Sequence, residues 1–159
     1  MIFVTVGTHE QQFNRLIEEV DCLKGNGTIK TGYCTYEPKN CEWSELLPYD
    51  QMLDNVKKAD IVITHGGPSS FIMPLQIGKI PIVVPRQKKF NEHVNNHQVE
   101  FSTAVKKRYE NIIVIKNIRN LEKAILKYNN IVKSMKTEMD NNNLKFNEHL
   151  QEIVENMFL

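Results

Sequence analysis

The stretch Ile61-Val62-Ile63-Thr64-His65-Gly66-Gly67-Pro68-Ser69-Ser70 decides the fold. Ile61 to Thr64 is β-branched at every position, which suits a strand buried on both faces. The glycines after it permit a sharp turn. Pro68 then fits the first turn of a helix, where its missing N–H is no loss. A strand feeding a helix through a glycine turn is the repeating unit of an open parallel sheet.

The same alternation recurs outward from this unit. Ile2 to Val6 reads as a buried strand closed by Gly7-Thr8. From Gln11 the pattern turns helical, with Phe13, Leu16, Ile17, Val20 and Leu23 on one face until Gly25-Asn26-Gly27 stops it. Thr28 to Thr31 reads as a second strand, Tyr33 to Asn40 as a loop, and Glu42 to Leu47 as a weaker third strand. Tyr49 to Lys58 reads as a helix. Pro74 falls inside the helix opened at Pro68 and is expected to kink or shorten it. Gly78-Lys79 closes that helix, and Ile80 to Val84 and Asn111 to Ile115 supply the remaining strands. Val94 to Arg108 and Leu121 to Tyr128 are broadly helical. After a break at Asp140-Asn141-Asn142-Asn143, Leu144 to Phe158 forms a last amphipathic helix. The expected fold class is α/β: a Rossmann-like parallel sheet with helices on both faces, in one domain spanning residues 1–159.

Composition narrows the partners. The chain has 159 residues, 41% hydrophobic and 25% charged, with a formal net charge of +1. That balance gives no bulk electrostatic reason to bind nucleic acid or an anionic membrane. Two local basic patches stand out, Lys88-Lys89 and Lys106-Lys107-Arg108. Cys22, Cys34 and Cys41 match neither a zinc site nor a disulfide framework, and read as thiols of a reducing cytosol. With no secretory signal and no apolar run long enough to span a bilayer, the expected location is cytoplasmic, with any membrane recruitment coming from a partner.

In sheets of this kind ligands sit beyond the carboxyl ends of the strands, where both glycine turns fall. After Thr64, His65 and the Gly66-Gly67 backbone lead into a helix whose free N–H groups and dipole favour phosphate, and Ser69 and Ser70 add hydroxyls. A plain turn with serine caps would use the same residues. The stretch Pro85-Arg86-Gln87-Lys88-Lys89-Phe90-Asn91-Glu92-His93-Val94-Asn95-Asn96-His97-Gln98 packs arginine, glutamate, two histidines and several amides into one segment after a strand. Sugar hydroxyls need amide and carboxylate partners, and a diphosphate needs arginine or helix N–H groups. A solvated polar loop is the alternative. Gly7-Thr8-His9-Glu10 places a histidine at the first turn, where it could serve as a base or a phosphate donor; a capping role for Thr8 is equally open.

Taken together, Val4-Thr5-Val6-Gly7-Thr8-His9-Glu10-Gln11, His65-Gly66-Gly67-Pro68-Ser69-Ser70, Gly78-Lys79 to Val84-Pro85-Arg86, and Glu92-His93 to Asn96-His97-Gln98 resemble the glycosyltransferase 28 C-terminal domain family. Within it the chain is similar to small bacterial subunits of two-component transferases of capsular and exopolysaccharide synthesis. The eukaryotic relative is the catalytic subunit of the transferase that adds N-acetylglucosamine to a dolichol-linked sugar. The resemblance covers roughly residues 1–105 and implies the C-terminal half-domain of a GT-B enzyme, which holds the UDP-sugar. A separate membrane-anchored chain would then bind the lipid-linked saccharide acceptor. The resemblance puts His65, Gly66, Gly67, Ser69 and Ser70 on the diphosphate, and His97 and Gln98 on the sugar. Relatives often carry a glutamate for the ribose six residues after the second glycine, where this chain has Met73, and an alanine where it has Pro68.

The expected reaction is inverting hexose transfer from a UDP-sugar, with the UDP-sugar as substrate and no cofactor. No DxD pair occurs, so no essential metal is expected. His9, Glu92 and His93 are the candidate catalytic residues, and Gly7, Thr8, His65, Gly66, Gly67, Ser69, Ser70, Arg86, Asn96, His97 and Gln98 the candidate donor-binding set. A non-catalytic subunit that stabilises a partner transferase is the competing reading, and Met73 favours it. An epimerase-like enzyme is disfavoured by length. Ile153, Val154, Met157 and Phe158 form an apolar stripe on the last helix, which could dock a partner, pack on its own domain, or self-associate when alone.

Overall fold

The computed structural model describes residues 1–23, 27–135 and 143–157. Six strands form one sheet: β1 (Ile2–Thr5), β2 (Gly27–Lys30), β3 (Glu42–Ser44), β4 (Ile61–His65), β5 (Ile82–Val84) and β6 (Ile113–Val114). All pairings are parallel and the strand order is β3-β2-β1-β4-β5-β6. The order reverses between β1 and β4, so the crevice above their carboxyl ends is the site that topology reserves for a ligand.

The helices are α1 (Asn14–Cys22), α2 (Tyr49–Lys58), α3 (Pro68–Gln76), α4 (His97–Tyr109), α5 (Leu121–Leu126), α6 (Tyr128–Val132) and α7 (Asn143–Met157). Strand alternation divides the core in two. Val4 and Ile63 join a large cluster with Leu16 and Ile17 of α1 and Leu121 of α5. Phe3 and Val62 point to the opposite face and pack with Val56 of α2. Both faces of the sheet are therefore covered, as a parallel sheet requires.

Differences from the expected boundaries have simple causes. β5 begins at Ile82 because Pro81 has no N–H for the ladder; its carbonyl still accepts from Ile113 N at 3.0 Å. α1 starts at Asn14, and Gln11 to Phe13 belong to the turn before it. α3 runs only two residues past Pro74. Lys127 divides the expected Leu121-to-Tyr128 helix into α5 and α6, and Tyr128 turns inward to donate its hydroxyl to Ile80 O at 2.7 Å. Residues 91–96 are irregular rather than helical, with Asn91 at φ 56°. Of the expected breaks, Gly25-Asn26 and Asp140 to Asn142 lie outside the described residues, as does Phe158; Gly27 opens β2. No disulfide joins Cys22, Cys34 and Cys41. No described helix is long and apolar enough to cross a membrane.

Candidate functional site

His65 ends β4 and is the pillar of the crevice. Its Nδ1 accepts from Gly67 N at 3.0 Å, and its Nε2 lies 2.9 Å from Ser70 Oγ. A backbone donor on Nδ1 leaves the proton on Nε2, so His65 donates to Ser70. Burial first, then the charge of Arg86, lowers its pKa to about 4, so the ring is neutral at ordinary pH. Neither ring nitrogen is left for a ligand.

Two glycines make room for that ring. A Cβ on Gly67 would lie 2.2 Å from His65 Cε1, and one on Gly7 would lie 2.4 Å from Nε2. Gly7 also has φ +77°, which side-chain-bearing residues rarely adopt. Gly66 is held from the other side. Its N–H donates to Gln98 Oε1 at 3.1 Å, and the same oxygen accepts from Arg86 N at 3.1 Å. Gln98, which the resemblance put on the sugar, thus pins the glycine turn to the end of β5 through its Oε1.

The outward donors lie at the start of α3. Pro68 has no N–H, and Ser70 N donates to Gly67 O at 3.1 Å. Among the described residues, the N–H and hydroxyl of Ser69 have no partner, and the Ser70 hydroxyl can donate outward while accepting from His65. These three groups sit at a helix N-terminus above the switch point of the sheet.

The segment after β5 behaves otherwise. Arg86 is fully buried: Nη1 donates to the carbonyls of Gln11 (2.7 Å), Gln12 (2.9 Å) and Glu92 (3.2 Å), and Nη2 to that of Val6 (3.0 Å). It ties the first turn to this segment. Glu92, equally buried, pairs with Arg15 at 2.7 and 2.9 Å and accepts from Gln87 N at 2.9 Å. Arg15 lies 4.7 Å from the Phe90 ring centroid and 5.4 Å from that of Phe13. Glu92, a candidate base, and Arg86, a candidate donor contact, are thus both placed with their polar groups turned onto other residues of the chain.

His9, His93, Asn96 and His97 remain near the surface. The His9 and His93 ring centroids are 5.0 Å apart, one from the first turn and one from the loop after β5. Burial, then Arg86 and His93, lowers the pKa of His9, and its Nδ1 accepts from Gln11 N at 3.2 Å. His97 stacks on Phe101 at 6.0 Å, and Asn96 Oδ1 accepts from Lys88 N at 3.0 Å. Thr8 is exposed beside Gly7. Met73, half-buried, packs on the cluster of Phe3, Val56, Ala59 and Val62.

Lys30, absent from the sequence reading, closes the floor. It is 4% exposed, donates to Gly7 O at 3.2 Å, and has its pKa lowered by burial. The available signal was a lysine at the carboxyl end of a buried strand.

Sheet order, switch point and glycine-cradled helix start define a Rossmann-like half-domain of the GT-B glycosyltransferase type. The chain belongs to the glycosyltransferase family 28 C-terminal domain, whose profile matches residues 1–156. It is 35% identical over 98 residues to the human UDP-N-acetylglucosamine transferase subunit ALG13, covering 60% of this chain and 8% of that protein. Identity to the mouse protein of the same name is 32% over 120 residues, covering 66% and 10%. The chain thus spans about a tenth or less of the length of these curated relatives. Among solved structures, the glycotransferase of kitacinnamycin superposes with a TM-score of 0.51 at 18% identity, over 79% of this chain and 34% of that one.

Proposed function

We propose that this glycosyltransferase domain is the donor-binding catalytic subunit of a two-component inverting enzyme. It moves a hexose from a UDP-sugar to a lipid-linked saccharide in capsular or exopolysaccharide synthesis. The observation that carries the reading is the unpartnered Ser69 N–H beside the Ser69 and Ser70 hydroxyls, at a helix start above the topological switch point. The mammalian relatives are named as transferase subunits, which supports a partner chain. That chain would be membrane-anchored, would bring this one to the inner face of the membrane, and would bind the acceptor. The exposed face of α7, with Phe146, Leu150, Ile153 and Met157, is where it would dock.

In this scheme an acceptor hydroxyl attacks the anomeric carbon as the bond to UDP breaks. The leaving diphosphate gains charge, which the α3 N-terminus and its serines stabilise. The hydroxyl proton passes to a base, for which His9 beside His93 is the candidate within this chain. No step uses a metal.

Titration of UDP into the isolated domain by calorimetry, alongside His65→Ala, tests the reading. Binding that is lost in the variant supports it. Failure of UDP to bind even after the partner is added would overturn it. The inward packing of Glu92 and Met73 favours one competing reading, a subunit that only stabilises its partner. Under that reading, a variant unable to bind UDP would leave sugar transfer by the complex unchanged.

A further inference from the structure

The formal net charge of +1 conceals a strong asymmetry. Residues 106–133 carry eight lysines and arginines and two acids, a net +6, so the remaining residues carry −5. All eight are exposed, and among the described residues none is ion-paired. They lie on one edge of the molecule, formed by the end of α4, strand β6 and helices α5 and α6.

Between Lys106, Lys123 and Lys127 runs a groove of about 400 Å³, floored by Ile112, Ile115, Ile131 and Met135. Leu126, next to Lys127 at the end of α5, is 79% exposed, and Tyr109, next to Arg108 at the end of α4, is 49% exposed. We propose that this face lies directly against an anionic phospholipid bilayer, giving the domain a membrane affinity of its own.

Three observations select a bilayer over other polyanions. Six of the eight cations are lysines, which neutralise a diffuse anionic surface as point charges. Lysine is depleted at protein–protein interfaces, where arginine is enriched. An exposed leucine and an apolar groove among the lysines gain from contact with acyl chains, whereas a nucleic-acid backbone offers them no apolar contact. The basic face also reaches the carboxyl edge of the sheet at Lys116, whose carbonyl accepts from Gln87 Nε2 at 2.7 Å. Resting on this face would bring the crevice edge beside the bilayer. This inference stands independently of donor binding.

The test is co-sedimentation of the full chain with vesicles of phosphatidylcholine alone, and of phosphatidylcholine mixed with phosphatidylglycerol. Wild type should sediment with the mixed vesicles only, and less so as salt rises. Each lysine neutralised in K123Q/K127Q and in K106Q/K107Q should lower partitioning about fivefold, and Leu126→Asn should lower it further. Melting temperature and UDP binding should not change, because all five side chains are exposed and none makes a hydrogen bond or ion pair among the described residues. Equal binding to both vesicle types, or undiminished binding by the glutamine variants, would overturn the proposal. So would binding to a duplex oligonucleotide stronger than to mixed vesicles of equal phosphate content.

Discussion

The turn after β4 and the loop after β5 meet at the same edge of the sheet, and both read as ligand-binding segments. The turn is poor in charge and keeps its free donors pointing outward at Ser69 and Ser70. The loop is rich in charge and turns its strongest groups inward, with Arg86 on four carbonyls and Glu92 on Arg15. Charge density therefore marks the scaffold here, and backbone geometry marks the candidate site. The physical reason is that a buried charge needs several partners, and a long loop without regular structure needs internal ties.

The strongest way to break this comparison is Glu92→Ala. Removing one member of a buried ion pair should cost about 4 kcal/mol, measured by urea denaturation. A variant of unchanged stability that had lost turnover would instead make Glu92 the base and the loop part of the active site.

His65 gives the next effect. Its pKa is about 4 in the folded chain against 6.5 for the free group, so the unfolded chain binds more protons between these values. Stability from the neutral ring is fully present above pH 6.5 and is lost as pH falls towards 4, by about 3 kcal/mol in total. Denaturation curves of wild type and His65→Gln across this window should converge at the acid end. Parallel curves would mean that the ring is not the enclosed pillar described. Gly67→Ala attacks the same pillar by volume. The added methyl meets Cε1, and forcing the ring aside should cost about 2 kcal/mol and abolish UDP binding.

Much of the fold was legible because strands and glycine turns obey local rules. Ile61 to Thr64 and Ile2 to Val6 are β-branched or apolar runs of strand length, and Gly7 and Gly67 stand where only glycine fits around His65. The direction of the side chains after β5 was not legible. Arg86 is called inward by carbonyls of Val6, Gln11 and Gln12, some 75 residues away in the sequence, and Glu92 by Arg15. Nothing in the local pattern encodes those partners. Met73 illustrates the converse: read as a missing ribose contact, it is a half-buried residue of α3 that packs on the cluster holding Phe3 of β1.

The smallest effects sharpen the comparison most. Ser69 is exposed and has no hydrogen-bond partner among the described residues, so Ser69→Ala should leave stability within about 0.5 kcal/mol of wild type. It should weaken UDP binding by about tenfold, the worth of one hydrogen bond to a charged group. Ser70 differs because its oxygen also accepts the proton on His65 Nε2. Ser70→Ala should weaken UDP by a similar factor, but it also orphans a buried donor and so destabilises the fold at neutral pH. Calorimetry and denaturation run on the same two variants separate these cases. If Ser69→Ala binds UDP as wild type does while Ser70→Ala loses only stability, the turn after β4 is scaffold too, and the outward groups His93, Asn96 and His97 of the loop become the place to look for the donor.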